Sequence, residues 1–260
     1  GNVSCVFKII RDDDPHHMHS LGMGFTVREG VIASVEPSRE FTTIFNGERF
    51  DFATVRTAVQ QITDVPVKIE LLTELPLSGG FGLSGASALA AVFATNRLLE
   101  LGHDRDTLGM AAHVAEVQNL TGLGDVGGQF NGGCLAKFQV GQPLAAVGLP
   151  VPEQDVYYRY FSPILTKEII GDPHHAQLIN RAADRALETL VELRTTGESS
   201  FARYIAVAKE FAVQSELMRD QQVLRAIAEA EAAGGAASMI MLGNAVFSTV
   251  AFEGATRTRL

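Results

Sequence analysis

At the start of the chain apolar residues fall on every second position, Val3, Cys5, Phe7 and Ile9. That spacing belongs to a strand burying one face. Residues 24–28 and 31–36 alternate in the same way on either side of Glu29-Gly30 and read as a hairpin. Residues 41–51 repeat the pattern less regularly, residues 54–63 read as a short helix, and residues 67–74 form a strand that must stop at Pro76. Helical spacing then dominates. An Ala/Leu-rich run to Leu101 predicts one helix with Ser84 as its N-cap, and residues 107–120 predict another, broken by Thr121-Gly122-Leu123-Gly124.

Past Gly132 the texture changes. Residues 135–140 read as a strand, and Pro143, Pro150 and Pro152 mark a connection, so a domain boundary is expected at residue 150. Residues 156–161 predict a strand, residues 173–193, 199–213 and 221–233 predict helices, and residues 236–242 and 245–252 two closing strands. Hairpins first and helices grouped afterwards predict an α+β fold rather than a doubly wound sheet.

The chain has 260 residues, 46% of them hydrophobic and 20% charged, and a net charge of −9. That charge argues against a nucleic-acid partner bound through its phosphates. Charged residues interrupt every apolar run, so no membrane span is expected. No signal peptide is read at the start, and Cys5 and Cys134 are too few for a disulfide framework. The expectation is a soluble cytoplasmic protein in which both cysteines are core residues. A homodimer stays open.

The chemistry concentrates in residues 78–85, Ser78-Gly79-Gly80-Phe81-Gly82-Leu83-Ser84-Gly85. Glycines let backbone N–H groups close on a phosphate, and a following helix adds the positive end of its dipole. Two familiar phosphate loops do not fit. A dinucleotide fingerprint needs a second strand ending in an acid, where a polar turn and another helix follow here. A P-loop needs a lysine where Ala86 stands. The glycines alone also suit a tight turn made only for packing. Further on, Glu116 lies in an otherwise apolar helix with His113 one turn before it, and Asp125 follows the next break. Two carboxylates near a phosphate-binding turn can divide the labour, one holding a hard cation and the other serving an attacking hydroxyl. A solvated helix residue and a turn residue would give the same spacing.

Pro76 to Ala86 resembles the second motif of the GHMP kinases, Gly1-Asn2-Val3-Ser4 the end of their first, and Ser238 to Gly243 their third. Asn2 stands where mevalonate kinases carry lysine, the stretch His19 to Gly24 lacks the family's arginine, and Lys137 replaces an arginine after the glycine pair. The resemblance implies a two-domain α+β fold: an ATP-binding N-terminal domain over 1–150, like domain 2 of ribosomal protein S5, and a ferredoxin-like C-terminal domain over 151–260. The active site would lie in the cleft between them. It further implies ATP with its phosphates wrapped by the backbone of Ser78, Gly79, Gly80, Phe81, Gly82, Leu83, Ser84 and Gly85. Mg²⁺ would be held by Ser84 and Glu116, with Asp125 as catalytic residue toward the hydroxyl of a small hydroxy acid. Ser20, beside a turn over Gly22 to Gly24, His113 and Lys137 are the candidates for binding that acid. Lys137 also suits a solvated strand position, and His113 a satisfied core histidine. Catalytic use of a different hydroxy acid, and a silent metabolite sensor on the same fold, stay as alternatives. The tract Asp12 to His19 follows no metal-ligand spacing and reads as a polar surface loop.

Overall fold

The computed structural model describes residues 1–164, 169 and 171–260. Its strands form three four-stranded sheets. The first has the order β1-β2-β7-β8, from Asn2–Ile10, His19–Thr26, Cys134–Lys137 and Val147–Gly148, and is antiparallel throughout. The second has the order β3-β6-β4-β5, from Ile32–Pro37, Val67–Leu72, Thr42–Phe45 and Glu48–Arg49, with β4 and β6 parallel. The third has the order β10-β11-β9-β12, from Ala237–Met239, Gly243–Ser248, Asp155–Pro163 and Thr256–Arg259. The described helices are α1 Ala53–Gln60, α2 Leu83–Leu98, α3 Arg105–Asn119, α4 Asp125–Asn131, α5 Pro173–Thr196, α6 Phe201–Gln214 and α7 Gln221–Ala232.

Two apolar cores result. One gathers Val55, Val59, Ile69, Leu71, Ala88, Val92, Leu108 and Ala112 between the second sheet and α1 to α3. The other joins the apolar face of β1 to α5, α6 and the third sheet, where Phe7 meets Phe211 and Phe25 meets both Phe201 and Phe247 edge to face. Cys5 and Cys134 are buried in it as free thiols. The alternation at the start of β1 therefore does two things at once. Val3 and Cys5 are drawn into this core, and Asn2 and Ser4 are left on the opposite face.

Three expectations are corrected. The segments flanking Glu29-Gly30 are not paired as a hairpin, because β2 pairs with β1 and β7 while β3 pairs with β6 in another sheet. Gly22 to Gly24 is not a turn but part of β2. A Cβ at Gly22 would lie 1.9 Å from the carbonyl oxygen of Val6, where β1 carries an irregularity between Ser4 and Val6. Glycine there lets two strands close over a bulge. The final strand, β12, carries exposed Thr256, Arg257 and Arg259, and only its pairing with β9 makes it a strand. Among the described residues no helix is long and apolar enough to cross a membrane.

Candidate active site

The glycine-rich loop runs from β6 to α2 with left-handed backbone at Ser78, Gly80 and Gly82 (φ 59°, 82° and 60°). Such residues turn successive N–H groups toward one side, and the N-terminus of a sixteen-residue helix follows. Packing requires glycine on both sides of one contact, at Gly80 of the loop and at Gly243 opposite it. A Cβ at Gly80 would meet the Met241 carbonyl at 2.6 Å, and one at Gly243 would meet that of Gly79 at 2.3 Å. The loop thus lies backbone to backbone on the turn before β11, where Leu242 is also left-handed. From the other side the Asn2 N–H donates to the Phe81 carbonyl at 2.9 Å.

Gly82, not Ser84, is the N-cap of α2. Ser84 falls in the first turn, where its hydroxyl has no capping duty and instead donates to Oε1 of Glu116. The same oxygen accepts from Thr121 Oγ1 at 2.9 Å. Glu116 is 1% exposed, and its other oxygen, Oε2, is buried without a hydrogen-bond partner among the described residues. Burial first, and the neighbouring Asp125 carboxylate second, push its pKa up to about 8. An orphaned, desolvated carboxylate oxygen invites a cation.

Asp125 is the first residue of α4. Its Oδ1 accepts from Asn2 Nδ2 at 2.8 Å and from Ser4 Oγ at 3.0 Å. Burial raises its pKa, and these two donors oppose the rise. Glycines pack directly against the two acids. A Cβ at Gly122 would lie 2.4 Å from Glu116 Oε2 and 2.9 Å from Asp125 Oδ2, and one at Gly85 would lie 2.9 Å from Glu116 Oε2. The oxygens present (Ser84 Oγ, Glu116 Oε2 and Asp125 Oδ2) are the hard donors that suit Mg²⁺, which keeps several waters and takes only one or two carboxylates plus substrate phosphates. Among the described residues no group of three or more His, Cys, Asp or Glu side chains could hold a metal alone.

Two cavities meet at Asp125, while Glu116 lines neither and lies behind Ser84 and Thr121 of the larger one. One, of about 390 Å³, is lined by Ser78, Gly80, Gly82, Ser84, Asn119 and Thr121 with the apolar side chains of Phe50, Phe52 and Leu77. The other, of about 90 Å³, is lined by Asn2, Ser20, Gly22, Gly124, Lys137 and Pro143. Ser4, Asp125 and Leu242 border both. A large cavity under a phosphate-type loop and a small one, sharing a carboxylate wall, suit transfer of a group from a donor to a compact acceptor.

Ser20 and Lys137 are both at the small cavity, brought there by the pairing of β2 with β7. The Lys137 ammonium donates to the carbonyls of Gln142 and Ala145, the latter at 3.1 Å. Partial burial lowers its pKa. His113 is elsewhere. It is 1% exposed, its Nε2 lies 2.9 Å from the Met18 carbonyl, and it lines neither cavity. Burial pushes its pKa down to about 4, so it is a neutral core histidine. Helical spacing put it one turn from Glu116, but the β2 approach uses its ring to satisfy a backbone carbonyl. Sequence reasoning placed Asn2 and Ser4 in the first motif and Thr121 and Gly122 in a helix break, but gave none of them a contact with Glu116 or Asp125. The polar alternates of β1 were the available signal for the first two.

The fold and this pair of cavities sharing a carboxylate suit a small-molecule kinase. Residues 52–133 match the GHMP kinases N terminal domain. The chain therefore carries a GHMP kinase N-terminal domain over those residues, and its similarities are to ATP-dependent small-molecule kinases. Among its relatives are pantoate kinases of Methanospirillum hungatei and Methanocaldococcus jannaschii. Each is 26% identical over 95% of this chain, covering 84% and 89% of the relative. A solved structure described as a phosphotransferase related to the CoA biosynthesis pathway superposes with a TM-score of 0.80 at 25% identity, over 95% of this chain and 84% of that one.

Proposed function

We propose that this chain transfers the γ-phosphoryl group of ATP to the primary hydroxyl of pantoate, giving 4-phosphopantoate on the archaeal route to coenzyme A. The near full-length similarity to pantoate kinases supports the substrate. The observation that carries the reaction type is Asp125, whose carboxylate borders both cavities.

In this reading ATP lies in the larger cavity with its phosphates along the backbone of residues 78–85. Ser84 and Glu116 are the residues that would hold Mg²⁺, which would supply neutralisation of phosphate charge. The acceptor lies in the smaller cavity. Its hydroxyl oxygen attacks the γ-phosphorus, its proton passes to Asp125 Oδ2, and ADP leaves. With Oδ1 occupied by Asn2 and Ser4, Oδ2 is the oxygen left for that proton. The buried environment that raises the Asp125 pKa makes it a stronger base than an exposed aspartate. Ser20 and Lys137 bind the acid. The ammonium has three donors, two already on loop carbonyls, so one remains for a carboxylate. His113 holds the Met18 backbone behind the cavity. A boundary at residue 150 is part of this reading, since every strand of the third sheet follows it.

The test is ADP release over a panel of hydroxy acids containing pantoate, mevalonate and homoserine, with wild type and Asp125→Asn. Pantoate is expected to be turned over preferentially, and the variant to lose about 10²–10⁴-fold in kcat with ATP binding retained. Binding of ATP without turnover of any acid would identify a sensor. Near-normal turnover by the variant would remove Asp125 from the chemistry.

A further inference from the structure

Asn2, Ser4 and Asp125 form a closed hydrogen-bonded ring. Asn2 Nδ2 donates to Ser4 Oγ at 3.1 Å and to Asp125 Oδ1 at 2.8 Å, and Ser4 Oγ donates to the same Oδ1 at 3.0 Å. Both donors reach a single carboxylate oxygen, and both are uncharged. We infer that Asn2 and Ser4 are positioning residues that act through Asp125, fixing its carboxylate so that Oδ2 alone faces the acceptor hydroxyl. The inference rests on the proposed role of Asp125.

The surroundings are built around this ring. The amide of Asn2 is buried against α4, where a Cβ at Gly128 would lie 2.3 Å from Asn2 Oδ1, so only glycine leaves room for it. Ser4 stands beside the irregularity of β1, and its carbonyl accepts from the Met241 N–H at 3.1 Å. Bulges re-aim side chains at functional sites. The strand is thereby held to the same turn that supports the glycine-rich loop. One element, β1, sets the distance between phosphate loop and carboxylate: the Asn2 backbone bonds Phe81 and its side chain bonds Asp125. A rotating carboxylate would present its oxygens to the acceptor only part of the time, and positioning of this kind is worth most in the reaction step.

The experiment is a double-mutant cycle in steady-state kinetics, with Asn2→Ala, Ser4→Ala, Asp125→Asn and their pairs. Each alanine variant is expected to lower kcat about 10–100-fold, the worth of a hydrogen bond to a charged group, with both KM values within about twofold of wild type. In the Asp125→Asn background the same substitutions should cost less than about threefold, because the group they position is gone. Ser4→Thr, which keeps the hydroxyl, should restore most of the loss seen with Ser4→Ala. Thermal melting of each variant identifies any that fails to fold, and Ser4→Thr against Ser4→Ala then carries the test. Losses that multiply fully with Asp125→Asn, or that appear in KM rather than kcat, would overturn the inference and leave a structural role. Unchanged kcat in both alanine variants would overturn it too. Full activity of Asp125→Asn alone would instead overturn the proposed reaction, so the two failures are told apart.

Discussion

Gly122→Ala tests the space between the two acids with a single methyl group. Gly122 has no left-handed φ, so alanine fits the backbone and any effect comes from what the methyl meets. The new carbon would lie 2.4 Å from Glu116 Oε2 and 2.9 Å from Asp125 Oδ2, where ordinary contact begins at 3.4 Å. Glu116 must therefore withdraw by about 1 Å and Asp125 by about half that. Neither moves freely, since Glu116 Oε1 is held by Ser84 and Thr121 and Asp125 Oδ1 by Asn2 and Ser4. Overpacking of this kind costs about 1–3 kcal/mol, or a Tm lower by roughly 2–10 °C in a chain of this size. A displacement of about 1 Å at a reacting group costs on the order of 10²-fold in rate. The assay is ADP release titrated with Mg²⁺, beside a melting curve. Gly148→Ala, at a strand edge with nothing among the described residues within 4 Å of the added carbon, is the control and should behave as wild type. Unchanged kcat and unchanged Mg²⁺ half-saturation in Gly122→Ala would refute the placement of the cation and the reacting hydroxyl between these carboxylates.

Glu116→Gln and Ser84→Ala should lose activity that partly returns at higher Mg²⁺ or with Mn²⁺, another acceptor of oxygen ligands; a loss insensitive to metal concentration would contradict the assignment. Lys137→Met should raise the KM for the acid about 10–100-fold and leave the KM for ATP unchanged, which steady-state kinetics with both substrates varied will read. Metal-free protein should lose stability between about pH 5 and pH 8. The raised pKa of Glu116 means the native state holds a proton that the unfolded chain has already released above about 4.5, so stability falls until the pH passes about 8. Melting temperatures across that range should fall less steeply for Glu116→Gln, and Mg²⁺ should remove most of the difference. Parallel slopes for the two proteins would contradict it.

Local patterning and chemistry carried much of the site into view. Period-two spacing found β1, helical spacing found α2 and α3, and the glycine run between them could be nothing but a sharp turn into a helix. Ser84, Glu116 and Asp125 stood out as polar groups in small or apolar surroundings, where their presence asks for a reason. Other features depend on contacts between segments far apart in the chain. Whether residues 24–28 pair with 31–36 or with 134–137 is a choice between partners of equal local propensity, and sheet formation made it. His113 and Glu116 share a helix face, yet only tertiary contacts decided that one would hold the Met18 carbonyl and the other would accept from Ser84 of the glycine-rich loop. The requirement for glycine at Gly80 and Gly128 comes from atoms 161 and 126 positions away in sequence. Residue type and spacing determined which groups could do the chemistry. The tertiary structure decided which of them meet, because a carboxylate's neighbours and the absence of a Cβ beside it are set by packing across the chain.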